Sequence, residues 1–181
     1  MEASLYPSDP DSGSLLFAYG TLMLATGIPA VDAAMRDAGK SLGRGWINGL
    51  LFDLGDYPGA VPGTVAGGGT GDVGREPELR TKPVVVEEAA PKVWGHLLLL
   101  NNPAALFSVI DPYEGFDASD PGGSEFVRSE TRVFLPALDR WFSSQVFWYN
   151  FAIDRKARIG SGDYLAHWSA KGKPSQGRVT G

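Results

Sequence analysis

The chain has 181 residues, 43 % of them hydrophobic and 20 % charged, with a net charge of −5 and no cysteine. That length and composition fit one ordinary domain with a core of its own. The missing cysteines exclude disulfides, thiolate metal sites and cysteine nucleophiles, and the acidic balance argues against a nucleic-acid surface.

The opening Met1–Asp9 holds an acidic residue and a proline but no apolar run, so it does not read as a signal peptide. No later stretch reaches the length of a membrane span. A cytoplasmic protein is expected, with a flexible start over residues 1–14, a single domain over 15–170 and a flexible tail over 171–181.

Leu15-Leu16-Phe17-Ala18-Tyr19 is a short apolar run that stops at Gly20, which reads as a buried strand. A helix follows from Pro29, with Val31, Ala34, Met35 and Ala38 at helical spacing and Gly39 as a left-handed stop. Trp46 to Phe52 reads as a strand, closed by the turn residues Tyr57-Pro58-Gly59. From Pro62 to Pro83 glycine, proline and charge dominate, which predicts a long surface loop. Val84-Val85-Val86 is a short strand at its far side, and Val93 to Leu100 is another.

Asn102 caps a helix whose first position is Pro103, with Leu106, Phe107 and Ile110 as its apolar stripe. Pro112 is expected to interrupt that helix by disfavouring helical geometry at Asp111, leaving Glu114 just past its end. Phe126–Leu135 and Trp141–Phe151 read as a hairpin, with Val127, Ser129, Thr131, Val133 and Leu135 on one face and Arg128, Glu130 and Arg132 on the other. A short helix through Trp168 ends the pattern. Strands outnumber helices without βαβ alternation, so the expected class is α+β: a mixed, largely antiparallel β-barrel or sheet with a few flanking helices.

Several patterns do not carry chemistry. Gly69-Thr70-Gly71-Asp72-Val73-Gly74 has the spacing of a dinucleotide fingerprint but lacks the preceding strand and following helix, and reads as a loop. The two histidines, His96 and His167, read as hydrogen-bonding residues rather than metal ligands. No nucleophile elbow is present. Arg155, Lys156 and Arg158 read as a solvated cationic face.

Phe17-Ala18-Tyr19-Gly20-Thr21-Leu22-Met23 resembles the opening signature of the γ-glutamylcyclotransferase-like superfamily, which includes γ-glutamylcyclotransferases, γ-glutamylamine cyclotransferases and plant AIG2-like proteins. Leu54-Gly55-Asp56-Tyr57-Pro58-Gly59, Val93-Trp94-Gly95-His96-Leu97, Ile110-Asp111-Pro112-Tyr113-Glu114-Gly115-Phe116, Phe126-Val127-Arg128 and Tyr149 resemble further family segments in the same order. The resemblance covers Leu15 to Trp168. The chain departs from the pattern at Phe126, where a tyrosine is usual, at Pro112, and in the longer Pro62–Pro83 and Asp117–Ser124 stretches, which are positioned to reshape the mouth of a site.

The resemblance implies release of 5-oxoproline: the substrate's α-amine attacks its own γ-carbonyl and expels an amine. Glu114 would be the general acid and base, and Tyr113 and Phe116 beside it would supply an apolar setting. The backbone N–H groups of Gly20, Thr21 and Leu22 would hold the substrate carboxylate or the developing oxyanion, and Gly20 would let the backbone approach closely. Tyr19 would shape the pocket, with Tyr149 and Arg128 completing the substrate-binding set. No cofactor and no metal is implied. The implied partner is a small γ-glutamyl compound, neither nucleic acid nor membrane, and the sequence does not specify an oligomeric state. A non-catalytic binding or interaction module using the same cavity remains the alternative, as does a distinct hydrolase or acyltransferase on this scaffold.

Overall fold

The computed structural model describes residues 12–65, 84–86 and 91–171. In chain order these form β1 (Leu15–Ala18), a 3₁₀ turn (Thr21–Met23), α1 (Pro29–Asp37), β2 (Gly39–Asp53), β3 (Pro58–Val65), β4 (Val84–Val86), β5 (Lys92–Leu100), α2 (Pro103–Tyr113), β6 (Phe126–Leu135), β7 (Arg140–Tyr149), β8 (Ala157–Arg158) and α3 (Tyr164–Ala170). The stretches at 1–11, 66–83, 87–90 and 172–181 lie outside the described residues. They contain most of the expected flexible start and tail, most of the Gly/Pro-rich loop, and the Gly69–Gly74 pattern.

Strands β2, β5, β1, β7 and β6 pair in that order, and β6 meets β2 again at Trp46↔Phe134, which closes a five-stranded barrel. Every pairing around it is antiparallel except β1 with β7, which is parallel. Outside the barrel β3 pairs with β2, β4 runs parallel to β3, and β8 pairs with Phe52–Asp53. The expected α+β class, mixed and largely antiparallel, is the fold observed.

Strand alternation divides the core in two. Leu15 and Phe17 of β1 pack with Ile47, Leu51, Val93 and Leu97, joined by Tyr164 and Trp168 of α3. Leu16 and Ala18 face the other way, among Val31 of α1 and Leu106, Phe107 and Ile110 of α2. Ile110 is fully buried, and burying a side chain of that size contributes about 1.5–3 kcal/mol. The helices are therefore held to the barrel by their apolar stripes more than by their length.

Four expectations change. β2 begins at Gly39, far ahead of Trp46, because Gly39–Gly45 is held by pairing to β5 rather than by any alternation of its own. Gly39 is not a left-handed cap: it opens β2, where a Cβ would collide with the Leu99 carbonyl. Pro62–Val65, assigned to the loop, continue β3 between β2 and β4. Pro112 does not interrupt α2, which runs on to Tyr113. Its missing N–H leaves without an intrahelical donor only the carbonyl of Ser108, an exposed residue.

Candidate functional site

Glu114 is the C-cap residue of α2. The helix closes on it in a Schellman motif: the Gly115 N–H donates to the Pro112 carbonyl at 3.1 Å and the Phe116 N–H to the Asp111 carbonyl at 2.9 Å. Such a closure needs a left-handed residue after the cap, and Gly115 supplies it with φ of 66°. The Glu114 N–H itself reaches the Ile110 carbonyl at 2.9 Å. With its backbone fixed in this way, Glu114 is buried, only 8 % exposed.

The second turn of the site follows β1. It is a 3₁₀ turn closed by Met23 N–H to the Gly20 carbonyl at 3.0 Å and Leu24 N–H to the Thr21 carbonyl at 2.9 Å. Among the described residues no group accepts from the N–H of Gly20, Thr21 or Leu22. Gly20 has a negative φ, −129°, so it is not held here by a left-handed backbone. Its requirement is space, since a Cβ there would lie 2.8 Å from Cγ of Pro58. On that side of Gly20 the close neighbour is the first residue of β3.

Both turns line one pocket of about 400 Å³, its open mouth included. Tyr19, Gly20, Thr21 and Leu22 form one side and Glu114 another; Tyr57, Pro58, Tyr113, Phe126 and Phe147 supply aromatic and apolar walls. The Tyr113 hydroxyl donates to the Thr21 hydroxyl at 3.3 Å, joining the two turns directly. Tyr57 donates to Oε1 of Glu125 at 2.5 Å, and the Glu125 N–H donates to the Gly115 carbonyl at 3.1 Å. A second carboxylate thus stands behind the wall, one hydrogen bond from the Glu114 turn.

The wall that carries Tyr57 and Pro58 is anchored from outside the pocket. Oδ1 of Asp53 accepts from the Gly55 N–H at 2.9 Å, and Oδ2 lies 3.1 Å from Nε2 of His167 and pairs with Nζ of Lys171. Burial pushes the Asp53 carboxyl up, but these hydrogen bonds from Lys171, Gly55 and His167 outweigh it and hold the group down at about 2. Burial, and next the Asp53 charge, push the Tyr164 hydroxyl in the same cluster up to about 12.

The Asp117–Ser124 stretch is fastened rather than draped over the mouth. The Asn150 amide donates to the carbonyls of Pro121, Gly122 and Ser124, at 3.1, 3.4 and 2.9 Å. The Ser124 hydroxyl accepts from the Asp117 N–H at 2.8 Å. None of these loop residues lines the pocket.

Two residues expected to bind substrate lie elsewhere. Tyr149 is absent from the pocket wall and packs edge-on behind Phe126, with ring centroids 5.4 Å apart. The strand register sets it directly across from Phe126, so it supports the wall without forming it. Arg128 also stays out of the pocket: its fork grips Asp111 of α2, with Nε to Oδ1 at 2.8 Å and Nη2 to Oδ2 at 3.0 Å. Tyr19 does line the pocket, but its hydroxyl donates to the Phe147 carbonyl at 2.7 Å and accepts from the Ala60 N–H at 3.2 Å. It is a strut between β7 and β3.

Of the two residues expected to give Glu114 an apolar setting, Tyr113 lines the pocket and Phe116 does not; Tyr57 and Phe126 were not picked out as wall residues from the sequence. The signal available was that each sits within or beside a matched segment. Among the described residues no three metal-ligating side chains gather, and no helix is long and apolar enough to cross a membrane.

No family model matches the chain, and comparison with curated proteins finds no match. Two solved structures are similar to it. One is an uncharacterized protein of Pyrococcus horikoshii, PH0828, 17 % identical, with a TM-score of 0.49 over 87 % of this chain and 95 % of that one. The other is the protein ytfP of Escherichia coli, solved by NMR in solution, 24 % identical, with a TM-score of 0.49 over 84 % of this chain and 97 % of that one.

Proposed function

We propose that this chain is a γ-glutamyl cyclotransferase-type enzyme acting on a small γ-glutamyl compound. One observation carries the reading: a buried carboxylate and a turn whose backbone N–H groups find no acceptor among the described residues, far apart in sequence, line the same pocket. Ring closure within one substrate needs three services from a protein. The α-ammonium must lose a proton, the oxyanion formed at the γ-carbonyl must be held, and the departing amine must gain a proton.

Glu114 takes the proton from the α-ammonium, and the freed amine forms the new C–N bond at the γ-carbon. The carbonyl electron pair moves to oxygen and is met by donors from the Gly20–Leu22 turn. As the oxygen pair returns, the bond to the leaving nitrogen breaks and Glu114 gives its proton to that nitrogen; Glu114 then takes the second proton of the ring nitrogen and passes it to the departing amine, which leaves as an ammonium. The products are 5-oxoproline and an amine, and Glu114 ends in its starting state. Attack is intramolecular, so holding the chain bent in the pocket supplies much of the acceleration. No step calls for a cofactor or metal, and a cytoplasmic setting is proposed with it.

The test is release of 5-oxoproline from a panel of γ-glutamyl amines and peptides by the purified chain, repeated with Glu114→Gln. Product that persists at an unchanged rate in that variant removes Glu114 from the mechanism. Phe126 favours one other reading, since the wall carries a bare ring where the resemblance expects a tyrosine hydroxyl. A non-catalytic binding module would be stabilised by a γ-glutamyl compound on heating yet form no product from any member of the panel.

A further inference from the structure

We propose that Arg128 is a positioning residue for Glu114, setting the direction in which that side chain leaves α2. The inference rests on the reading of Glu114 as the working carboxylate. Arg128 lies on β6 and touches neither the pocket nor Glu114 through any contact described above. Its influence runs through the last turn of the helix.

One guanidinium engages four parts of the chain. Its fork holds both oxygens of Asp111, at 2.8 and 3.0 Å. Its third nitrogen donates to Oε1 of Gln145 on β7 at 3.4 Å. Its carbon stands 4.0 Å from the ring centroid of Phe107, one turn back along α2, and 5.5 Å from that of Phe116, just beyond the helix end. The pair is largely withdrawn from water, at 23 % and 21 % exposed, so it is screened less than a surface ion pair.

Asp111 is also the residue whose carbonyl accepts the Phe116 N–H and closes the Schellman turn. Glu114 lies inside that closure. Side chain and backbone of Asp111 therefore tie the turn to the sheet and to itself. The rest of α2 does not depend on this tie. Its start is capped by Asn102, which accepts from the Ala105 N–H at 3.1 Å, and Leu106, Phe107, Ile110 and Tyr113 bury its stripe. Loss of Arg128 should leave the helix docked while its final turn gains freedom.

Lysine cannot replace this function. It carries the charge but not the planar fork or the flat face that stacks on Phe107 and Phe116. A displacement of about 1 Å at a catalytic carboxylate costs up to about a hundredfold in rate. The expected pattern for both Arg128→Lys and Arg128→Met is therefore a fall in kcat of about ten- to a hundredfold with KM within about twofold of the native value.

Two measurements on the full chain test this. The first is amide hydrogen exchange in native protein and both variants. Faster exchange confined to Glu114, Gly115 and Phe116, with Leu106–Ile110 unchanged, is the expected result. Unchanged exchange in that turn, or acceleration spread through all of α2, overturns the proposal. The second is steady-state kinetics on whichever γ-glutamyl compound the native chain turns over, where a native kcat in Arg128→Lys also overturns it. If the native chain turns over none of the panel, the enzymatic reading fails by itself, and the exchange pattern alone decides whether Arg128 positions Glu114.

Discussion

The two turns that meet at the pocket are built on opposite plans. At the end of α2 the backbone groups around Glu114 are engaged, and a side chain is presented. After β1 the side chain of Leu22 is buried while the leading N–H groups find no acceptor among the described residues. Satisfied backbone makes a rigid mount, and unsatisfied backbone makes a set of donors whose partner arrives from solvent. A pocket combining one of each can move a proton and hold an anion without a charged cation in its wall.

The largest test removes what the first turn presents. Glu114→Gln keeps the shape and should lower 5-oxoproline release by about 10²–10⁴-fold, with a melting temperature within a few degrees of native. Next comes the wall facing the second turn. Asp53 titrates at about 2 rather than the usual 3.8. A carboxyl depressed by folding stabilises the native state above its unfolded value and loses that effect as pH falls through the folded one. Stability should thus decline by at most about 2 kcal/mol between pH 4 and 2 in urea unfolding, and Asp53→Asn should flatten that portion of the curve.

A smaller change attacks the donor turn itself. Gly20→Ala drives a methyl against Pro58 and should raise KM about tenfold, close to 1.4 kcal/mol, while kcat moves less. That split would separate anion holding from proton transfer; a loss in kcat alone would merge the two roles. The smallest effect belongs to the link between the turns. Tyr113→Phe deletes one long hydrogen bond to Thr21 and should cost about 0.5 kcal/mol in thermal or urea unfolding.

The sequence made the two turns themselves legible, because Tyr19–Leu22 and Tyr113–Gly115 are local patterns. Asn102-Pro103 announced the start of α2, and alternation announced the β6–β7 hairpin. What it could not carry was anything decided by a distant neighbour. Gly39–Gly45 becomes strand only because β5 lies beside it. Pro112 reads locally as a helix breaker, yet in the last turn of α2 it costs a single carbonyl its donor. Arg128 and Tyr149 sit close to the site in sequence pattern and in space, but strand register and Asp111 turn them to other work. Tyr57 and Phe126 enter the wall because the β2–β3 pairing and barrel closure bring the β2–β3 turn and the start of β6 to the end of β1.

That closure has a kinetic consequence. The ring is completed where Trp46 meets Phe134, between strands early and late in the chain. Contacts of such long loop length form late and slowly, since their entropy must be met before they are rewarded. The pocket draws on the end of β1, the β2–β3 turn, the end of α2 and the start of β6, so a chain with an open ring has no complete pocket. During refolding, ligand binding should appear after the bulk of secondary structure, in step with the pairing of Trp46 with Phe134, which makes occupancy of the pocket a readout of the final assembly event.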